Sequence, residues 1–378
     1  MRTLFLFPAI VCVASGPAAA DAPFAPRALQ PDYAVTMVQK SYLREVGSRN
    51  VTHHGNWTRV DLTKDSHHIT EYFSANGIAN IRIYGQRYIS LVRGGEPSSH
   101  RDNQPRNSGE RQTHLGESCT VWDAWRTKKE QTGGSNLSHL SCITDDGIEL
   151  WQRSVSGSDV MSSAEATRVE RRPVTLEEVK PPGTLLKLDW WDQNPPALTA
   201  PITPDHETVM ELFGDSTDAG KSTRTTRRLG PWQLLEETVG GVRRKLEIAH
   251  DSRRMRFEFA SDKSGVPKHL TITRLDSTPA DTAVPTPAQS ESMQPKSMNR
   301  TEAILGEICR WFDMMPEVAD AGRSACLTND GITLKDVRSA RGTGVRTWTA
   351  VRLSRRPVSL DEIKPPAALL EPQLWGIE

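Results

Sequence analysis

The sequence predicts a mainly β (α+β) protein made of two tandem antiparallel modules, each with short helices and one disulfide. Three observations predict it: an internal repeat, period-two alternation of apolar residues, and four cysteines placed two to a copy. Residues 141–191 align without a gap to 325–375, and 20 of the 51 positions are identical. Self-similarity at this level marks a duplicated unit. The chain has 378 residues, enough for two domains of ordinary size.

In chain order, the first element is a signal peptide over 1–20. Arg2 is its charged start, Leu4–Val13 its short apolar stretch, and Ala18-Ala19-Ala20 the small residues before a cut ahead of Asp21. The apolar stretch is too short to cross a bilayer, and no later one is long enough. The first module is expected over 28–191, a Pro-rich linker over 192–205 and the second module over 206–375. Gly55-Asn56-Trp57 is a candidate counterpart of Gly230-Pro231-Trp232 in the weakly aligned N-terminal parts.

Strands follow from alternation. Ile78, Ile81 and Ile83 lead to Tyr88–Val92, and 245–248, 255–259 and 270–273 each place apolar residues on every second position. One apolar and one polar face suit an antiparallel sheet with a solvated side. Residues 95–114 and 276–300 are rich in Pro, Ser, Asn and charge, so mobile insert loops are expected there. Each precedes a Leu-Gly-Glu-x-Cys motif, 115–119 and 305–309. Short helices are expected after Arg171-Arg172-Pro173-Val174 and Arg355-Arg356-Pro357-Val358. Thr175 with Glu178, and Ser359 with Glu362, have capping-box spacing, and double prolines follow.

The repeat also decides the cysteine pairing. Removal of the signal peptide takes Cys12 and leaves one Cys before, and one inside, the Asp-Gly motif of each copy. If the copies fold alike, the pairs are Cys119–Cys142 and Cys309–Cys326. An even set of cysteines in an exported chain suits a periplasmic or secreted location.

At Cys119-Thr120-Val121-Trp122 and Cys142-Ile143-Thr144-Asp145-Asp146-Gly147, the chain resembles uncharacterised periplasmic proteins with the half-barrel fold of the lipoprotein localisation factors. The resemblance covers the C-terminal half of each copy. It implies a bent sheet around short helices with an apolar concavity, and so a lipid, lipid-modified protein or other amphiphile as ligand. The carriers lack this cysteine and Asp-Gly pattern, and no ligand-contact motif is matched. Ligand-binding residues therefore stay unassigned.

Asp146-Gly147 and Asp330-Gly331 read as tight hairpin turns rather than catalytic carboxylates. His53-His54 and His67-His68 have donors for a metal, but strand neighbours point to opposite faces, so they read as ordinary strand residues. Arg171-Arg172 and Arg355-Arg356 can hold an anionic group; a structural ion pair is the blander role. Ten tryptophans divide between core packing and the lining of a site. Phosphate-loop, nucleophile-elbow and zinc-protease motifs do not occur in the sequence, so no catalytic, cofactor-binding or metal residue is assigned. Lys+Arg and Asp+Glu are equal at 47, which removes the whole-chain charge argument for nucleic acid. The expectation is a non-enzymatic envelope protein without cofactor, partnered by a hydrophobic ligand or by an envelope protein that it regulates.

Overall fold

A computed structural model describes residues 30–42, 44–64, 67–74, 80–84, 88–93, 106–126, 137–188, 203–213, 220–251, 255–274, 295–316, 321–340 and 344–377. The expected signal peptide and residues 192–202 of the expected linker lie outside the described residues. So do 95–105 and 276–294 of the expected insert loops.

Among the described residues, the first copy forms β1 (Tyr33–Ser41), β2 (Arg44–His54), β3 (Trp57–Lys64), β4 (His67–Ser74), β5 (Asn80–Tyr84), β6 (Tyr88–Val92), β7 (Arg106–His114), β8 (Glu117–Arg126), β9 (Leu137–Thr144), β10 (Glu149–Ser156) and β11 (Asp159–Glu170). The second forms β12 (His206–Phe213), β13 (Ser222–Leu229), β14 (Trp232–Val239), β15 (Val242–His250), β16 (Met255–Ser261), β17 (Pro267–Arg274), β18 (Lys296–Ile304), β19 (Glu307–Asp313), β20 (Ala321–Leu327), β21 (Thr333–Ala340) and β22 (Gly344–Ser354).

The ladders repeat. The order β7-β8-β9-β10-β11-β1 recurs as β18-β19-β20-β21-β22-β12. The meander β3-β4-β5-β6 recurs as β14-β15-β16-β17. Trp57 and Trp232 each open the strand after a turn whose glycine has positive φ, 53° at Gly55 and 51° at Gly230.

The expected pair of separate tandem sheets gives way to one large open antiparallel sheet. The join is between equivalent strands: β6 and β17 pair antiparallel, with Ile89 opposite Ile272 and Leu91 opposite Leu270. The cause lies in the strands themselves. Each ends its meander with an apolar edge, and an open apolar edge is a site for unwanted pairing. Joining the two equivalent edges removes both.

The chain divides into two compact units, 1–49 with 100–173, and 50–99 with 174–378. In the first, Val35, Met37, Val121, Ile148, Leu150 and Trp151 are buried around Cys119 and Cys142. In the second, Leu246, Ile248, Phe257, Leu270 and Ile272 pack with Ile81 and Leu91 from one side of the seam to the other. Leu186, Ile363, Leu369 and Trp375 close over them. Each such side chain contributes about 1.5–3 kcal/mol by leaving water. Ile363 ends the second of the expected short helices, whereas Leu186, Leu369 and Trp375 stand in 3-10 turns that follow the double prolines. Both capping boxes form, at α1 (Leu176–Val179) and at the 3-10 turn Leu360–Glu362. The double prolines then lead into further 3-10 turns, Gly183–Leu186 and Ala367–Leu370. Trp375 is fully buried, donates its indole N–H to the Leu369 carbonyl at 2.8 Å and meets the Phe259 ring edge-on.

The strand content exceeds the sequence reading at β7 and β18, which occupy 106–114 and 296–304, whereas loop was expected over 106–114 and 296–300. An edge strand draws its bonds from one neighbour and needs no apolar face. Its polar side chains protect the open side. Each register is broken by a bulge, near Gly109 at φ 77° and Asn299 at φ 51°.

Candidate functional site

The recurring motifs meet in space, and they meet on one arginine per copy. In the first unit, Thr144 and Ile148 close the Asp-Gly turn, and the Thr144 hydroxyl donates to Asp146 at 2.5 Å and accepts from the Ile148 N–H at 2.8 Å. Gly147 has φ 86°, which a side chain would resist. Arg171 then bridges the turn to the Leu-Gly-Glu-x-Cys hairpin. Its Nε donates to Asp146 at 2.8 Å, and its two terminal nitrogens take both oxygens of Glu117 at 2.8 and 2.7 Å. In the second unit, Arg355 donates to Asp330 at 2.9 Å and to Glu307 at 2.8 and 3.3 Å, while Thr328 donates to Asp330.

These contacts fix the charge states. The Arg171 hydrogen bond is the main cause that holds Glu117 below the usual carboxylate range. For Asp146, burial pushes upward, but the hydrogen bonds from Arg171 and Thr144 outweigh it and the net shift is downward. The Arg355 hydrogen bond is the main cause that lowers Asp330. Arg172 and Arg356 cap the carbonyls of Pro173 and Pro357, and Arg356 also pairs with Glu362 and Glu207. The carboxylates and arginines of the repeat thus form structural locks. Beside them, the disulfides Cys119–Cys142 and Cys309–Cys326 join adjacent strands with Cα atoms 5.4 and 5.3 Å apart.

The histidine pairs do not meet. His53 and His54 end β2, whereas His67 and His68 stand opposite Lys64 and Thr63 at the far end of β3. At about 3.3 Å per residue that is roughly 20 Å or more. His53 is buried with Nδ1 at 3.0 Å from the Thr58 hydroxyl. Among the described residues, no three His, Cys, Asp or Glu side chains gather as a metal site. Among the described residues, five tryptophans, Trp151, Trp232, Trp311, Trp348 and Trp375, are buried in the cores. Trp190 and Trp191 lie outside the described residues.

The second unit holds a polar cleft of about 100 Å³ between β12, β13, β14, β20 and β21. Arg224, Arg228, Arg323 and Arg338 line it, together with the buried His206 and Asp336. Asp336 is 2% exposed and accepts from three guanidinium groups: Arg224 at 2.9 Å, Arg323 at 3.0 Å, and Arg338 at 3.1 and 3.0 Å. Burial pushes its pKa up, but Arg323 and Arg338 outweigh this and leave it below the ordinary range. Arg224, 5% exposed, also donates to Glu237 at 3.0 Å and lies over the Trp348 ring at 4.2 Å. Burial pushes His206 toward its neutral form.

None of these cleft residues stands in a recognisable motif, and the sequence reading missed them. The signal that exposes them is a difference between copies. At the shift of 184 residues, Arg323, Asp336 and Arg338 correspond to His139, Gln152 and Ser154. In the first unit, Arg49 donates to Gln152 at 3.1 Å, as Arg224 does to Asp336, and His139 Nδ1 meets the Ser154 hydroxyl at 2.9 Å. The frame is shared and the charge differs.

No family model matches the chain, and no curated protein matches it. Solved structures give remote likenesses. MucB in complex with MucA(peri) is 10% identical at a TM-score of 0.26, over 68% of this chain and 93% of that one. PNGF-II is 10% identical at a TM-score of 0.29, over 85% of this chain and 64% of that one. At such superposition neither likeness carries an argument about family or function.

Proposed function

We propose that the chain is an exported, non-catalytic interaction protein, built of two half-barrel modules, whose recognition surface is polar rather than a lipid pocket. The observation that carries this is the contrast within the second unit. The apolar side of its sheet is filled by the chain's own Leu186, Ile363, Leu369 and Trp375, and the cleft left open is lined by arginines. That contrast weighs against the apolar concavity implied by the resemblance. The disulfides support an oxidising compartment outside the cytoplasm. The lock carboxylates are bound to arginine, and Glu117, Asp146 and Asp330 are held ionised, which supports a structural rather than a catalytic use of the repeat motifs.

Titration of the full chain with a fluorescent fatty acid tests the reading. No saturable binding is expected below about 100 micromolar. Saturable binding at or below that level, one ligand per chain, would return the amphiphile reading.

A further inference from the structure

The structure assigns to the Arg224–Asp336 cleft of the second copy, and not to its counterpart in the first, the recognition of one carboxylate on an acidic segment of a partner protein. This rests on the interaction reading above and names the partner chemistry.

Charge comes first. Arg224, Arg228, Arg323 and Arg338 carry four positive charges. Asp336 and Glu237 neutralise two, and Asp251 neutralises a third through Arg228. His206 is driven toward neutrality by burial. The sum is plus one, so a single carboxylate balances the cleft and a phosphate dianion overshoots it.

Geometry agrees. A cleft of about 100 Å³ holds one small group and not a chain. Arg224 and Asp336 are buried, and the Asp336 carboxylate holds the three guanidinium groups together before any ligand arrives. That is preorganisation, which lowers the cost of binding. Arg323 meets Asp336 through Nε, and among the described residues its two terminal nitrogens have no other partner. Arg338 likewise leaves Nη1 without one. A planar guanidinium presenting its terminal N–H groups suits a carboxylate. Arg323 and Arg338 are 38% and 46% exposed, so a ligand can reach them from solvent. In the first copy, Gln152, His139 and Ser154 remove the carboxylate and two of the arginines from the same frame. Arg49 there is balanced by Glu149 at 3.1 Å.

The test is fluorescence anisotropy of the full chain with a fluorescein-labelled pentaglutamate peptide, with pentaglutamine and inorganic phosphate as further arms. One site per chain is expected for pentaglutamate, weakening as salt rises. The double variant R323H/R338S gives the cleft the residues that the first copy tolerates, so it should fold. Its circular dichroism and melting confirm that. It should lose at least about tenfold in affinity, while H139A/S154A in the first copy changes nothing. Equal binding of pentaglutamine, unchanged affinity in R323H/R338S, or a phosphate response with pentaglutamate silent would each overturn the assignment. In the last case a polar cleft that binds still stands, so the interaction reading survives. Fatty-acid binding would instead remove that reading itself.

Discussion

At the scale of single residues, the arginine locks make the sharpest predictions. Glu117, Asp146 and Asp330 have folded-state pKa values below their unfolded ones near 4. Their contribution is therefore complete above about pH 4 and is lost as pH falls through the lower folded values. Arg171→Ala should destabilise the protein at pH 7 by about 1 kcal/mol, since the pair is partly exposed. The same substitution should cost less at pH 2 than at pH 7. Urea melts of wild type and variant at both pH values check this, and an equal loss at both would contradict it. A second prediction concerns the hairpin tips Leu115-Gly116 and Leu305-Gly306. Their φ angles are 55° and 79° in both copies, as a type I′ turn requires, yet Leu is a poor fit and half exposed. Leu305→Asn should raise stability by about 0.5–1 kcal/mol, read as a higher melting temperature. The sequence made Asp146, Arg171 and Glu117 visible as members of three motifs. It did not show that the motifs touch, because 25 and 54 residues of separation carry no contact information. It hid the cleft altogether, since isolated arginines on strands look like any solvated face.

Among elements, the disulfides were legible because duplication turned three possible pairings into one. Removing the second pair, C309A/C326A, opens a loop of 17 residues. The chain-entropy account puts the loss at about 3 kcal/mol, to be read from the shift in urea midpoint at constant slope. The capping boxes were equally legible, since each needs only residues three apart. Glu362 is held by more than its box: the Arg356 hydrogen bond, joined by those from Ser359, lowers its carboxyl pKa to about 2. The strands β7 and β18 were not legible. Their pattern carries no alternation, because an edge strand with polar faces on both sides satisfies its backbone from a single neighbour.

For the whole molecule, composition and repeat announced two copies but not how they join. Nothing in Tyr88–Val92 or Pro267–Arg274 distinguishes a strand that meets a helix or solvent from one that meets its own equivalent. The register of β6 on β17 is a property of two edges that are far apart in sequence and equally apolar. It makes the chain a duplicated scaffold with a closed seam, on which the copies diverge in charge. Hydrogen exchange read by mass spectrometry over 88–92 and 267–274 tests this most directly. Amides bonded across the seam should exchange only by large-scale opening, with protection in both segments matching that of β15 and β16. Fast exchange in either segment, at rates of unprotected amides while β15 and β16 stay protected, would contradict the joined sheet.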